Sequence, residues 1–262
     1  MSGKVSIILT VYNGERYLDE TIQSVFQQNY KNRELIIIND SSKDRSSEIA
    51  RQYLYDKRVY LIENSENLNI VWSRNLWLSV AKGEYICFLD QDDIILQEKL
   101  TKQVCFLEIH KEYWLVGCNI IDINEDGETI WKTIVPEEDK LIRNRILRSS
   151  QFACWAVLIR KDILDQIWIL NPIYIKSDDY DLWLRIGIIS KMHNIQIFLF
   201  KYRYHLNNTS NNSYKEMTIK SIKLCIKYRN YYPNFLFSII LWFGYLILPK
   251  SINNLILKYI KR

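Results

Sequence analysis

Strand-like and helix-like segments alternate four times within the first 90 residues of this 262-residue chain. Each strand-like segment is a short apolar run, and the segments between them repeat apolar residues at helical spacing. This alternation predicts βαβ units, and therefore an α/β fold with a Rossmann-like, mostly parallel central sheet flanked by helices. The predicted strands are Val5–Val11, Leu35–Ile38, Val59–Ile62 and Tyr85–Leu89, and the predicted helices begin near Glu15, Ser47 and Ile70.

Polar residues stand at the ends of three of these strands. Thr10–Asn13 ends the first, Asp40 follows the second, and Asp90–Asp93 ends the fourth. Ligands bind at the carboxyl ends of strands in open sheets of this kind, so the three groups outline a nucleotide site. The last group holds three carboxylates in four positions, which repel one another unless a cation lies between them. Mg²⁺ or Mn²⁺ suits such oxygens and usually also binds substrate phosphates, whereas the plainer alternative is a solvated acidic loop.

The second half of the sequence mixes strand and helix patterns. We predict helices over 97–110 and 137–148, strands over 115–123, 153–159, 195–200 and 202–204, and a hairpin turn at Asn124–Gly127. Another helix begins near Ser177 in the segment SDDYDLWLRI. Its first turn is acidic, which suits the positive end of a helix, so capping and function both stay open for Asp178.

The composition is that of an ordinary globular protein, with 48% hydrophobic and 25% charged residues. The length suits one large α/β domain with a small appendage. Five cysteines are widely spaced and form no C-x-x-C pair, so we expect buried thiols and a reducing compartment. The first strand pattern begins at Val5 with no secretory signal before it, which favours a cytoplasmic location.

The tail from Tyr214 to Arg262 contains nine Lys or Arg residues and one acidic residue, so its net charge is +8. Because the whole chain has a net charge of +5, residues 1–213 have a net charge of −3. It includes an uncharged 14-residue stretch, Phe235–Leu248, which is shorter than the about 20 residues of a bilayer span. We therefore predict a domain over 1–213 and a membrane-associating helical extension over 214–262, peripheral to the inner face of the cell membrane. The alternatives are a core helix that covers the sheet or a contact within a homo-oligomer. The long apolar stretch disfavours a nucleic-acid partner.

Four segments, in this order, resemble the large family 2 of inverting, nucleotide-sugar-dependent glycosyltransferases with the GT-A fold. The segment VSIILTVYNGERYLDETIQSVFQQNY resembles the family's first strand and helix, and ELIIINDSSKD resembles its second strand, with the Asp that contacts the nucleotide base. The segment NLNIVWSRNLWLSVAKGEYICFLDQDD resembles the one that leads to the metal-binding D-x-D, and SDDYDLWLRI is similar to the E-D-x-D-L-W-x-R stretch with the catalytic base. The resemblance covers roughly residues 3–210 and implies a GT-A fold.

The resemblance implies roles for twelve residues of this chain. Asp179 matches the general base and Asp92 the direct metal ligand, with Asp90 and His205 as further residues of a Mn²⁺ or Mg²⁺ site. A lone His is more often structural, and that alternative stays open for His205. The residues matched to the nucleotide-sugar site are Thr10, Tyr12, Asn13, Asp40, Arg74, Asp90 and Gln91, and those matched to the acceptor side are Asp178 and Trp155.

Some positions depart from the family's pattern. Asn69, Ser73 and Trp77 stand where relatives commonly have Gly, Ala and Gly. We expect the bulk of Trp77 to alter helix packing without reaching the site. Asp178 stands where Glu is usual, and its shorter side chain puts acceptor contacts there in doubt.

The implied reaction moves a sugar from a nucleotide-sugar donor to a hydroxyl of a lipid-linked or oligosaccharide acceptor in bacterial surface polysaccharide synthesis. A UDP-hexose is the first expectation for the donor and dTDP-rhamnose the second. Asp179 would take the acceptor's proton, and one base without an enzyme nucleophile implies single displacement with inversion. An ordinary carboxylate pKa of about 4 would keep Asp179 ionised at neutral pH.

Other classes of protein fit the sequence less well. A nucleotidyltransferase would carry a Gly-rich basic loop after its first strand, and Tyr12–Arg16 is not such a loop. A phosphatase with an aspartyl nucleophile would place its D-x-D on the first strand, whereas here it ends the fourth. The alternative that stays open is a non-catalytic, membrane-bound module that binds sugar nucleotides or glycans.

Overall fold

The structure is a computed structural model that describes residues 3–152, 155–167, 170–206, 208 and 213–248. Within these ranges the strands form one sheet with helices on both faces. The strands are β1 (Val5–Val11), β2 (Arg33–Asn39), β3 (Val59–Glu63), β4 (Tyr85–Asp90), β5 (Ile94–Ile95), β6 (Tyr113–Ile123), β7 (Thr129–Thr133), β8 (Leu158–Arg160) and β9 (Lys191–Arg203). The helices are α1 (Leu18–Phe26), α2 (Ser46–Arg51), α3 (Ile70–Leu78), α4 (Lys99–Ile109), α5 (Asp139–Arg145), α6 (Lys161–Gln166), α7 (Asp178–Ile189), α8 (Tyr214–Lys227) and α9 (Phe235–Ile247), with a 3₁₀ helix at Pro172–Tyr174.

The sheet has the strand order β3-β2-β1-β4-β8-β6-β9-β5, and β7 pairs with β6. The first four strands of this order are parallel, as the alternating pattern predicts. Their register places Thr10 opposite Asp90 and Val11 opposite Asn39. The polar residues at the ends of β1, β2 and β4 therefore meet at one edge of the sheet.

The other half of the sheet is mixed. Strand β8 pairs antiparallel with β4 and β6, and β5 pairs antiparallel with β9, whereas β6 and β9 run parallel. The predicted hairpin joins β6 to β7, and Gly127 in its turn has a φ of +85°, a conformation that glycine adopts without strain. The predicted α/β fold is thus confirmed, with antiparallel pairs in the half where the sequence mixes its patterns.

Three strands differ in detail from the sequence prediction. Strand β9 is a single element of 13 residues where the pattern predicts two short strands, and the register of its pairing with β6 shifts next to Asn119. Strand β8 starts only at Leu158, and residues 153–154 of the predicted strand lie outside the described ranges. Strand β5 has two residues, which is too short for a periodic pattern to reveal.

The core lies on both faces of the sheet. Ile8 and Ile36 belong to the cluster on one face, which α3 and α7 cover, while Ile7 and Ile37 belong to the cluster on the other, which α1 and α4 cover. Strands buried on both faces are apolar throughout, which explains the continuous runs in the sequence. Among the described cysteines the thiols are free and mostly buried, as expected, and Cys154 lies outside the described ranges.

The described part of the tail packs against the body of the protein. Leu224 and Cys225 of α8 lie in the same core cluster as α7, and the hydroxyl of Tyr232 donates to the carbonyl of Leu184 at 2.6 Å. The indole Nε1 of Trp242 on α9 donates to the carbonyl of Leu147 at 2.7 Å. Helix α8 therefore contributes to the core, which was one of the alternatives for the tail. No helix in the described residues has the length and hydropathy that a membrane span requires.

Candidate active site

A cleft of about 830 Å³ opens at the sheet edge where β1, β2 and β4 end. All twelve residues to which the family resemblance assigns a role line this cleft. They come from the ends of β1, β2 and β4, from α3, from the segment before β8, from the start of α7 and from the segment after β9. The set is Thr10, Tyr12, Asn13, Asp40, Arg74, Asp90, Gln91, Asp92, Trp155, Asp178, Asp179 and His205.

Gln91, in the middle of the D-x-D, holds two strand ends together. Its side-chain Oε1 accepts the backbone N–H of Tyr12 at 2.7 Å, and its Nε2 donates to the carbonyl of Tyr12 at 3.2 Å. A Cβ on Gly14 would lie 2.5 Å from the Gln91 Oε1, so this close approach requires glycine. The resemblance implies a nucleotide contact for Gln91, which lines the cleft, and the structure shows that its amide also positions the end of β1.

Arg74 ties α3 to the ends of β1 and β4. Its side chain is 1% exposed, its Nε donates to the Thr10 hydroxyl at 3.1 Å, and its Nη2 pairs with the Asp90 carboxylate at 2.5 Å. The guanidinium lies 4.6 Å from the centre of the Trp155 ring, a cation–π distance. Burial raises the pKa of Asp90, and the Arg74 charge offsets part of that effect. Asp90 is therefore a charge partner of Arg74 before any ligand binds.

Asp92 and His205 face each other in the cleft. The Oδ2 of Asp92 and the Nε2 of His205 share a hydrogen bond of 2.6 Å, and the His205 ring packs against Tyr17 with ring centres 5.4 Å apart. These two side chains are the ones that could bind one cation together, as the resemblance implies. Their shared contact brings together a strand end and a segment more than a hundred residues later in the chain.

The residues present fit a Mg²⁺ or Mn²⁺ ion that takes only part of its ligands from protein. In the described part of the chain, no three or more Asp, Glu, His or Cys side chains are arranged to enclose a metal by themselves. Mg²⁺ usually binds one or two carboxylates and completes its coordination with water and substrate phosphates. The carboxyl groups that line this end of the cleft belong to Asp90, Asp92, Asp178 and Asp179. A cation at this end of the cleft would offset the repulsion between ionised carboxylates and a diphosphate.

Arg203 organises the D-x-D loop, and the sequence reading missed it. It is 1% exposed, its Nε donates to the carbonyl of Asp92 at 3.0 Å, and its backbone N–H donates to the buried carboxyl of Asp93 at 3.1 Å. The same guanidinium donates to the carbonyl of Glu125 at 3.0 Å and pairs with Glu20 at 2.5 Å. These partners lie 78 to 183 residues away in the sequence, so no local pattern reveals the role. The one available signal is an arginine at the end of a strand.

Replacing Arg203 by Met should therefore disturb both the loop and the fold. We expect Arg203→Met to lower the free energy of unfolding by about 2–4 kcal/mol, since Glu20 and the backbone carbonyls of Asp92, Asn124 and Glu125 lose a charged donor. The loop that carries Asp92 would lose its position, so kcat/KM for the donor should fall at least about tenfold. Thermal unfolding and donor turnover measure both effects.

Arg58→Met is the matched control for Arg203→Met. The Arg58 side chain is 44% exposed and pairs locally with Asp56, so its loss should change the stability by less than about 0.5 kcal/mol. A protein with Arg203→Met that unfolds and reacts like the wild type would contradict the assigned role.

Asp178 and Asp179 occupy the first turn of α7. The Oδ1 of Asp178 accepts the backbone N–H of Lys176 at 3.1 Å, and the Oδ1 of Asp179 accepts the N–H of Tyr180 at 2.7 Å. The Asp178 bond fixes the turn before α7 and caps no N–H of the helix, and Asp178 also lines the cleft, so both of its interpretations stay open.

The expectation of an ordinary pKa for Asp179 is wrong. Burial, and then the neighbouring Asp178 charge, raise the pKa of the Asp179 carboxyl to about 7. The reason is that Asp179 lies at the wall of the cleft beside a second, buried carboxyl. Such a pKa is suited to a group that must accept a proton near neutral pH.

The profile of Glycosyl transferase family 2 matches residues 6–168, more than half of the chain. The protein belongs to this family and is a glycosyltransferase. It is 32% identical over 223 residues to WfaP of Escherichia coli, and the alignment covers 83% of this chain and 84% of WfaP. The full name of WfaP is UDP-Glc:alpha-D-GlcNAc-diphosphoundecaprenol beta-1,3-glucosyltransferase.

Solved structures share the fold. S. aureus TarS 1–349 in complex with UDP-GlcNAc superposes with a TM-score of 0.74 at 18% identity, over 93% of this chain and 71% of that one. The mannosyltransferase PcManGT of Pyrobaculum calidifontis, in complex with GDP-Man and Mn²⁺, gives a TM-score of 0.69 at 15% identity, over 99% of this chain and 74% of that one. The GT-A fold that the sequence resemblance implies is thereby confirmed.

Proposed function

We propose that this glycosyltransferase is a metal-dependent, inverting enzyme that uses a nucleotide-sugar donor. The observation that carries the proposal is the single cleft in which Asp40, the Asp92–His205 pair and Asp179 stand together. Asp40 suits the nucleotide base of the donor, the Asp92–His205 pair suits its diphosphate, and Asp179 suits the hydroxyl of the acceptor. A UDP-hexose is the proposed donor, with dTDP-rhamnose as the alternative, and the WfaP name, which includes UDP-Glc, supports the first choice.

The proposed chemistry is a single displacement. Asp179 removes the proton of the acceptor hydroxyl as that oxygen attacks the anomeric carbon from the face opposite the diphosphate. The bond between the sugar and the diphosphate breaks in the same step, so the configuration inverts. Asp92 and His205 would hold the divalent cation, whose charge supplies neutralisation at the leaving diphosphate. Arg74 keeps Asp90 and Thr10 in place beside them.

The proposed acceptor is a hydroxyl of a lipid-linked or oligosaccharide precursor in bacterial surface polysaccharide synthesis. The name of WfaP, which includes a diphosphoundecaprenol-linked sugar as acceptor, supports this proposal. Asp178, the neighbour of Asp179 in α7, and Trp155 both line the cleft and are proposed to contact the acceptor.

The outward face of α9 supports attachment to the inner face of the cell membrane. Its large apolar side chains stay exposed at 48–79% although the opposite face packs on the core. These residues, called here the α9 outer face, are Leu236, Phe237, Ile240, Phe243 and Ile247. A basic residue lies beside the helix, since the Arg148 guanidinium is 5.8 Å from the centre of the Phe237 ring, and α8 carries the exposed Lys223. Apolar side chains beside cations suit an anionic bilayer surface.

A double substitution tests the membrane proposal. Phe237→Ser with Ile240→Ser should lower binding to vesicles of anionic phospholipid at least about tenfold, because it removes two of the five apolar side chains of the α9 outer face. Cosedimentation with the vesicles measures the binding. The control is Ile109→Ser with Ile130→Ser, because these two side chains are about as exposed but lie outside α9, and this variant should bind the vesicles like the wild type. Unchanged binding in the double variant would contradict the proposal. A wild-type dimer that this variant dissociates would instead assign the face to a homo-oligomer.

Donor hydrolysis is the experiment that tests the function. The purified protein, with Mn²⁺ or Mg²⁺, is offered a panel of UDP-, GDP- and dTDP-sugars. We expect slow release of one nucleoside diphosphate that is lost in Asp92→Ala. No release and no calorimetric binding of UDP with Mn²⁺ would overturn the proposal. Binding without any turnover, even with lipid-linked acceptors, would favour a non-catalytic module.

A further inference from the structure

Two of the residues that depart from the family pattern are joined to Asp40 by hydrogen bonds. The indole Nε1 of Trp77 donates to the Oδ1 of Asn64 at 2.9 Å. The Nδ2 of Asn64 donates to the Oδ1 of Asp40 at 2.7 Å and to the hydroxyl of Ser73 at 2.9 Å. Ser73 in turn donates to the Oδ1 of Asp40 at 2.8 Å. The expectation that Trp77 affects only helix packing is therefore incomplete, because its ring N–H acts on the cleft through Asn64.

The contacts of Asp40 are all directed at one oxygen of its carboxylate. Besides Asn64 and Ser73, the backbone N–H of Leu68 donates to the same Oδ1 at 3.0 Å. The side chain of Asn67 donates to the Asp40 carbonyl at 3.2 Å, which fixes the backbone as well. With three donors Oδ1 is saturated, and among the described residues no donor to Oδ2 is found. Oδ2 is thus the oxygen of this cleft-lining carboxylate that a ligand can use.

Trp77 decides how the Asn64 amide is oriented. An indole N–H can only donate, so the amide oxygen of Asn64 must face Trp77 and its NH₂ group must face Asp40. The reversed amide would place two donors against each other at Trp77 and two acceptors against each other at Asp40. Ser73 completes the arrangement, because it accepts from Asn64 and donates to Asp40. The hydrogen bonds therefore allow one orientation each for the side chains of Trp77, Asn64 and Ser73.

We propose that Trp77, Asn64 and Ser73 are positioning residues that hold the Asp40 carboxylate so that Oδ2 accepts an N–H from the nucleotide base. The proposal rests on the proposed function, in which Asp40 faces the base. A fixed, acceptor-only oxygen favours a base with a ring N–H on its pairing edge. Uracil and thymine have such an N–H at N3, whereas cytosine has an acceptor there. The hydrogen-bond network of Trp77, Asn64, Ser73 and Asp40 therefore favours binding of UDP or dTDP over CDP.

The test compares UDP with CDP, which differ only in the pairing edge of the base. Calorimetry with Mn²⁺ gives Kd for each nucleotide, and donor turnover gives KM and kcat. We expect the wild type to bind UDP at least about tenfold more tightly than CDP. Trp77→Phe keeps the aromatic ring but removes the donor, so the Kd for UDP and the KM for the donor should rise about 5- to 20-fold. The UDP/CDP ratio should fall, with kcat within about twofold.

Trp72→Phe is the matched control, since Trp72 lies on the same helix and is 53% exposed. Trp72→Phe should leave the Kd values for UDP and for CDP unchanged. Ser73→Ala provides a second variant that removes one donor to Asp40 without altering an aromatic ring, and Ser73→Thr, which keeps the hydroxyl, should restore most of the selectivity.

The outcomes separate this proposal from the proposed function. A wild type that binds no nucleotide would overturn the function and the network together. A wild type that prefers UDP, with Trp77→Phe and Ser73→Ala showing the same preference within twofold, would overturn the network alone. A packing role for Trp77 would lower Tm in Trp77→Phe but leave the UDP/CDP ratio of the folded protein intact.

Discussion

Asp179→Asn is expected to lower the rate of sugar transfer about 10²- to 10⁴-fold, because the amide has nearly the shape of the carboxylate but cannot accept the acceptor's proton. The affinity for the donor nucleotide should stay within about threefold. Transfer assays and calorimetry with UDP measure the two quantities separately. Asp162→Asn, which removes a carboxylate from the first turn of α6, serves as the control and should react like the wild type. Transfer by Asp179→Asn at close to the wild-type rate would exclude Asp179 as the base.

The pKa of Asp179 predicts how the activity depends on pH. The base must be ionised, and its pKa is raised to about 7, so kcat/KM should be constant above that pH. Below it, kcat/KM should fall about tenfold per pH unit. A carboxylate with the ordinary pKa would show no loss until about pH 4. A profile that is flat between pH 5 and pH 8 would contradict the raised pKa.

The raised pKa of Asp179 also has a consequence for stability. The folded state holds the proton more tightly than the unfolded state, so stability falls as the pH rises from about 4 to about 7. At pH 8 the Asp179→Asn protein should therefore be more stable than the wild type, by about 1–4 kcal/mol. This difference should shrink at pH 5, where the wild-type carboxyl is protonated. Thermal unfolding at the two pH values measures it.

Removal of the divalent cation is expected to abolish transfer, with a loss of more than about 10²-fold. Without a cation the diphosphate would enter a cleft end lined by Asp90, Asp92, Asp178 and Asp179, and like charges would repel it. Chelation followed by addition of Mn²⁺ or Mg²⁺ should restore the wild type. Asp92→Ala should not recover under the same treatment, because one of the two side chains proposed to hold the ion is missing.

Asp126→Ala is the control for Asp92→Ala, since Asp126 is exposed in the turn between β6 and β7. It should recover fully when the metal is returned. Full transfer by a thoroughly chelated wild type would contradict metal dependence and would leave the Asp92–His205 contact as a purely structural hydrogen bond.

The first half of the fold could be predicted because its strands are buried on both faces. Runs such as Leu35–Ile38 show this burial directly in the sequence, and their ends then fix where Thr10, Asp40 and Asp90 meet. The location of the cleft follows from strand order alone. The strand ends alone group Thr10–Asn13, Asp40 and Asp90–Asp93, whereas Arg74, Asp179 and His205 were added to this group by the family resemblance.

What the sequence could not reveal depends on contacts between distant residues. The role of Arg203 depends on Glu20 and Asp92, and that of Gln91 depends on the backbone of Tyr12. The pKa of Asp179 depends on burial, which no periodic pattern quantifies. In the tail, the apolar stretch was evident, but which of its side chains face the core and which form the α9 outer face is decided by packing on α5 and α7.

Arg203 also has a consequence for the order in which the protein matures. Its guanidinium joins α1, the D-x-D loop and the β6–β7 turn, with partners up to 183 residues earlier in the chain. During synthesis the chain emerges from the amino terminus, so β1 to β4 are complete long before this arginine leaves the ribosome. The D-x-D loop therefore gains its contacts with Arg203 only after β9 joins the sheet. Ribosome-bound chains that stop before residue 203 should contain the parallel half of the sheet and still lack an ordered donor site.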